Sequence, residues 1–252
     1  MGKEHPDTLL STAKYGWTLR SQGKYPEAEE ACRRALEGMQ KPDVLGMWDI
    51  DTLVTKSDLG SILVRTQKYS EAVSLLWGTP EALASRIGEN SFDSIMAAGR
   101  LGGALLCAKN YRDAEKYFRI AMDKWTRLYG SETPATLDCT AKLGRALGKL
   151  EKFDEAVELL ERALKGWKKT LSPAELVVQE IEKDILEIRI AKGELQPQQA
   201  LDDGASVKNE ATIDTASTVL IPHETTHLDK DPRVGRADNS SQYLLSVGKR
   251  KI

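Results

Sequence analysis

The sequence predicts an all-α solenoid of about four helical hairpins, closed by a capping helix and followed by a polar tail. Three observations predict it. Gly16, Gly60, Gly102 and Gly144 recur at intervals of 44, 42 and 42 residues, and self-similarity at a fixed period is the mark of a repeat architecture. The same residue classes return in register around each glycine. An amphipathic stretch then runs to Gly193, beyond which no period of 3.6 or 2 persists.

The first helix of each hairpin is read from an apolar stripe. Leu9, Leu53, Ile95 and Leu137 lie seven residues before the glycine, Tyr15, Leu59, Leu101 and Leu143 one before, and Leu19, Leu63, Leu105 and Leu147 three after. The second helix begins near the aromatics Tyr25, Tyr69, Tyr111 and Phe153, with Glu27, Glu71, Asp113 and Glu155 in its first turn, where the helix dipole favours acids. Ala28, Ala72, Ala114 and Ala156 follow, then Cys32, Leu76, Phe118 and Leu160, then Ala35, Ala121 and Ala163, with Thr79 as the exception. Small residues at one register mark where helix backbones approach closely, so the packing positions are Gly16, Ala28, Gly60, Ala72, Gly102, Ala114, Gly144 and Ala156. The hairpins span residues 2–44, 45–87, 88–129 and 130–170, and Thr79-Pro80 should end the second helix of the second one early. Ser172-Pro173-Ala174-Glu175 reads as an N-cap, a first-turn proline and a capping-box acid, opening a capping helix over residues 172–193. Residues 194–252, rich in Gln, Asp, Ser, Thr and Asn, are expected to be disordered.

Small residue, alanine and second alanine at offsets of 0, 12 and 19 resemble the tetratricopeptide repeat. The longer period, together with His5-Pro6-Asp7-Thr8-Leu9, Gly130-Ser131-Glu132-Thr133-Pro134-Ala135-Thr136-Leu137 and Gly23-Lys24-Tyr25-Pro26-Glu27-Ala28-Glu29, resembles the kinesin light chain type and its fungal relatives over residues 2–170. The resemblance implies a right-handed superhelix whose first helices line a concave groove that binds protein. The chain departs from the family where an asparagine is common, two residues before the small position, carrying Lys14, Asp58, Arg100 and Lys142 instead. The groove chemistry of kinesin light chains therefore does not transfer.

By that analogy the partner-binding residues are Lys14, Trp17, Arg20, Asp58, Arg65, Arg100, Lys142, Arg145 and Lys149, with Asp138 as a second acid. Their basic balance favours an acidic protein or peptide segment held by charge-assisted contacts. Trp125 and Trp167 share a register and are assigned to packing between repeats. The alternative is a structural or self-assembling array from a larger sensor-type protein, associating through an apolar N-terminal end.

The remaining chemistry is thin. A net charge of -2 and pI of 6.0 give no whole-chain pull toward nucleic acid or anionic membrane. No apolar run is long enough to span a bilayer and no secretory signal opens the chain, so a cytoplasmic location is expected. Cys32, Cys107 and Cys139 sit in apolar helical patterns and form no disulfide or zinc framework. His223-Glu224-Thr225-Thr226-His227 has the string of a zinc metalloprotease, but Pro222, the paired threonines and the polar surroundings supply no helix or core to hold it. No phosphate loop is present, so no cofactor and no reaction are expected.

Overall fold

The computed structural model describes residues 2, 4–169 and 175–195. Among them are ten helices and no strands: α1 (Pro6–Ser21), α2 (Tyr25–Met39), α3 (Ile50–Arg65), α4 (Tyr69–Leu76), α5 (Thr79–Ile87), α6 (Phe92–Cys107), α7 (Tyr111–Tyr129), α8 (Pro134–Lys149), α9 (Phe153–Lys168) and α10 (Leu176–Lys192). The first helices α1, α3, α6 and α8 pack in sequence along one row, and each also packs on the second helix of its own hairpin. The Ser172 to Ala174 part of the expected cap and the polar tail from residue 196 lie outside the described residues. The capping helix starts at Leu176, with Glu175 in extended N-cap backbone, three residues later than the Ser172 cap predicts.

Local chemistry sets these helices repeat by repeat. Eleven residues before each glycine, His5, Asp49, Ser91 and Thr133 hold extended backbone, and their side chains accept the N–H of Asp7, Asp51, Ser94 and Thr136. Such caps satisfy donors that a helix N-terminus leaves open. Between the paired helices the chain turns through a left-handed residue, Gly23, Gln67, Lys109 or Glu151, at φ of 75°, 60°, 63° and 61°. The following N–H returns to the carbonyl of Leu19, Leu63, Leu105 or Leu147 at 2.8 to 3.0 Å, closing the first helix identically in all four hairpins.

The core is built on the small positions. A β-carbon placed on Gly60 would lie 2.5 Å from the Leu76 side chain, one on Gly144 2.7 Å from Leu160, one on Gly102 3.0 Å from the Phe118 ring, and one on Gly16 2.5 Å from Cys32 Sγ. Ala28, Ala72, Ala114 and Ala156 are fully buried beside them. A further close approach was not read from the sequence: Leu9 sits on Gly38 and Leu137 on Gly166, in the first and fourth hairpins. The second helix of hairpin two stops at Leu76, Trp77 is extended and Gly78 left-handed, and the chain resumes as α5 with Pro80 near its start. Thr79-Pro80 thus opens a new helix after the break rather than only ending the old one.

The outer face of α1 differs from the expected apolar end. The stripe that buries Thr52, Thr55, Leu59 and Ile62 in hairpin two is Thr8, Ser11, Tyr15 and Thr18 in hairpin one. Ser11 and Thr18 donate to the carbonyls of Asp7 and Lys14, and only Tyr15, 58% exposed, presents a large apolar group.

Candidate partner-binding face

The row of first helices carries all nine predicted partner-binding residues, on four helices that the turn and glycine packing hold at a common register. Lys14 is exposed on α1, while Trp17 and Arg20 are half-buried on the same helix. Arg65, at the end of α3, stacks over the Tyr25 ring at 5.0 Å, a cation–π contact between hairpins one and two. Lys149 is exposed at the end of α8.

Three further cations are ion-paired within the chain. Arg100 Nη1 lies 2.8 Å from Asp58 Oδ1 and donates to Ser57 Oγ at 3.0 Å, a pair with side chains only 13% and 11% exposed that ties α6 to α3. Lys142 Nζ donates to Asp138 at 2.7 Å on the same helix. Burial alone would lower the Lys142 pKa, but the Asp138 carboxylate outweighs it and the pKa is raised. Arg145 reaches Glu180 at 3.2 Å and contacts Asp184, so α10 brings two acids onto the row. Burial raises the pKa of both Glu180 and Asp184, and Arg145 offsets this only in part. Cys32 lies in the field of Arg20, Asp58 and Arg100, and burial, then Asp58, pushes its thiol up to about 12. It is a packing thiol, not a reactive one.

Two of these arrangements escaped the sequence reading for different reasons. Asp58 and Arg100 share one register one period apart, a visible signal that stacking would set them side by side. Glu180 carried no such signal, because the register of α10 against α8 depends on Ile188 seating on Gly148. Trp125 and Trp167 are buried, as their register predicts, whereas Trp48 and Trp77 are more than half exposed.

Among the described residues no group of three or more His, Cys, Asp or Glu is placed to hold a metal, and no helix is long and apolar enough to cross a membrane. The His223 to His227 string lies outside the described residues. A depression of about 420 Å³ at the end of α9, lined by Glu161, Leu164, Lys165, Lys168 and Lys169, opens to solvent.

Two family models, both described as tetratricopeptide repeat, match residues 93–169 and 8–41. A crystal structure described as Podosopora anserina putative kinesin light chain nearly identical TPR-like repeats superposes with a TM-score of 0.63 at 22% identity, covering 79% of this chain and 93% of that one. BtubC (BKLC) from P. vanneervenii superposes at 0.61 with 18% identity, covering 83% and 87%. Among curated proteins, a clustered mitochondria protein homolog of Candida albicans is 30% identical over 82 residues, 32% of this chain. The secreted RxLR effector protein RXLR-C07 of Plasmopara halstedii is 21% identical over 168 residues, 67% of this chain. The matched spans amount to 6% and 48% of those two relatives.

Proposed function

Because this chain carries tetratricopeptide repeats in an all-helical array with the fold of kinesin light chain-like proteins, a general scaffold for protein–protein interaction, we propose that it is a non-enzymatic, cytoplasmic adaptor. Its first-helix row binds an acidic protein or peptide segment. The observation that carries the reading is the charge flanking the glycines of that row: Lys14, Arg20, Arg65, Arg100, Lys142, Arg145 and Lys149 stand against the carboxylates of Asp58 and Asp138 and the two that α10 adds. Lys14 and Lys149 occupy opposite ends of the row and are exposed. Trp17 supplies an aromatic anchor of the kind that dominates interface energies. Arg100, Lys142 and Arg145, already ion-paired, set the shape of the row more than its affinity.

The test is a random peptide library selected on the full chain, with the winners measured by fluorescence polarisation. Acidic sequences should be enriched, and Lys14→Glu with Lys149→Glu should weaken them at least tenfold, an effect that shrinks as salt rises. Neutral or basic winners, or acidic ones indifferent to both changes, would overturn the reading. Reversing Arg100 or Lys142 is a poorer probe, since each change also breaks a pair within the scaffold.

A further inference from the structure

On the second-helix side, neighbouring hairpins are joined by a four-residue ion-pair clasp at a fixed register. Between hairpins one and two, Lys68 pairs with Glu29 at 2.6 Å, and Arg33 bridges Glu29 at 2.8 Å and Glu71 at 2.7 Å. Between hairpins three and four, Lys152 pairs with Glu115 at 2.8 Å, and Arg119 bridges Glu115 at 2.9 Å and Glu155 at 2.7 Å. The residues correspond position by position, 13 and 17 after one glycine and 8 and 11 after the next. Beyond hairpin four, Arg189 and Lys192 of α10 pair with Glu161 and Asp154 of α9.

The junction between hairpins two and three departs from this scheme. Its four clasp positions are Val73, Trp77, Asn110 and Asp113, so no cation is present to bridge them. The helix that should carry the clasp is interrupted at Trp77 and Gly78. Trp77 is 57% exposed and meets Tyr117 edge-on at 6.5 Å, while the Tyr117 hydroxyl donates to Glu81 at 2.9 Å. The charged link is on the opposite side of the row, where Arg100 joins Asp58 and Ser57.

We infer that the junction between the second and third hairpins is the articulation of the array, pivoting on the Asp58–Arg100 pair and opening on the side of Trp77. An ion pair on one side resists separation there and leaves the other side to packing and the single Tyr117–Glu81 hydrogen bond. Opening parts α5 from α6, where Leu83 packs with Ala97 and Leu53. The device is independent of which partner the row binds.

Two thiols at one register report it. Cys139, 6% exposed, lies five residues before Gly144 at the clasped junction, and fully buried Ala97 lies five before Gly102 at the unclasped one. In Ala97→Cys, with unchanged helicity, alkylation mapped by mass spectrometry should modify the introduced thiol at least tenfold faster than Cys139. Adding Trp77→Arg, which puts a cation at the position corresponding to Arg33, with Asp113 at the position corresponding to Glu71, should slow it at least threefold, and Asp58→Asn should speed it. Equal rates at the two thiols, or a fast rate that Trp77→Arg leaves unmoved, overturns the inference. In the unsubstituted chain, α5 amides should exchange at least tenfold faster than those of α2 and α9, and equal protection would also overturn it.

Discussion

Gly144→Ala and Gly103→Ala are the same chemical change in two first helices and should move stability in opposite directions. At Gly144 the new methyl would sit 2.7 Å from Leu160 Cγ and 3.1 Å from the Ala156 carbonyl oxygen, and Leu160 is fully buried with no open direction to retreat. Overpacking of this kind costs about 1–3 kcal/mol, against a gain of about 0.5–1 kcal/mol from replacing a helical glycine. The net is a loss of about 1–2 kcal/mol. At Gly103 nothing lies within 4 Å of the new methyl, so only the gain remains. With a urea slope of about 2–3 kcal/mol/M, Gly144→Ala should lower the unfolding midpoint by about 0.5 M, and Gly103→Ala should raise it by about 0.3 M, followed by helical circular dichroism. In a Leu160→Ala background most of the penalty of Gly144→Ala should disappear, leaving only the contact with the Ala156 carbonyl. Midpoints that move the same way in both single variants, or a penalty undiminished without Leu160, would refute the close-approach reasoning for all four glycines.

Removing one partner of the Asp58–Arg100 pair should be costly, about 2–4 kcal/mol for Arg100→Ala, while Asp58→Leu with Arg100→Leu should recover most of it in denaturant titrations. Glu151→Gly relieves a left-handed residue at the position where hairpin one already has Gly23, and should raise stability by about 0.5–1 kcal/mol in the same assay. The pH profile should have two limbs. Burial raises the Glu180 and Asp184 carboxyls above their ordinary values, so the folded chain takes up protons first and stability rises as pH falls toward the ordinary carboxylate range. Burial also acts against Glu29 and Glu115, but their cation partners prevail and hold them low, so the clasp contribution, complete above about pH 4.5, is lost as pH falls further. A stability curve that only falls from pH 7 downward would contradict the first limb. Zinc measured by mass spectrometry on the full chain should be substoichiometric, and stoichiometric metal lost in His227→Ala would reopen the protease alternative.

The helical hairpins were legible because their packing is periodic: a glycine, an alanine twelve residues on and a large residue sixteen on describe one contact that each hairpin repeats. Leu160 on Gly144 and Leu76 on Gly60 are that contact made physical. The break at Trp77 was half legible. Pro80 marked a disturbed helix, but whether the chain leaves the array or restarts depends on Leu83 finding a buried place beside Leu53 and Ala97. At the candidate site the residues could be listed from their register, yet their pairing could not. Lys142 is held by its own helix, Arg100 by the preceding repeat and Arg145 by the following one. Side-chain reach across a stack is a property of the stack, and it decides which charges remain for a partner.

The clasp makes some repeats interchangeable and others not. Hairpins one and three present the same Glu–Arg half, and hairpins two and four the same Lys–acid half. A chain in which hairpin one is followed directly by hairpin four would therefore meet a matching surface. Hairpins two and three have no such freedom, since Asp58 and Arg100 need each other as neighbours. Deletion or duplication of hairpins should be tolerated in units that keep that pair together, which makes the two central hairpins one part for engineering.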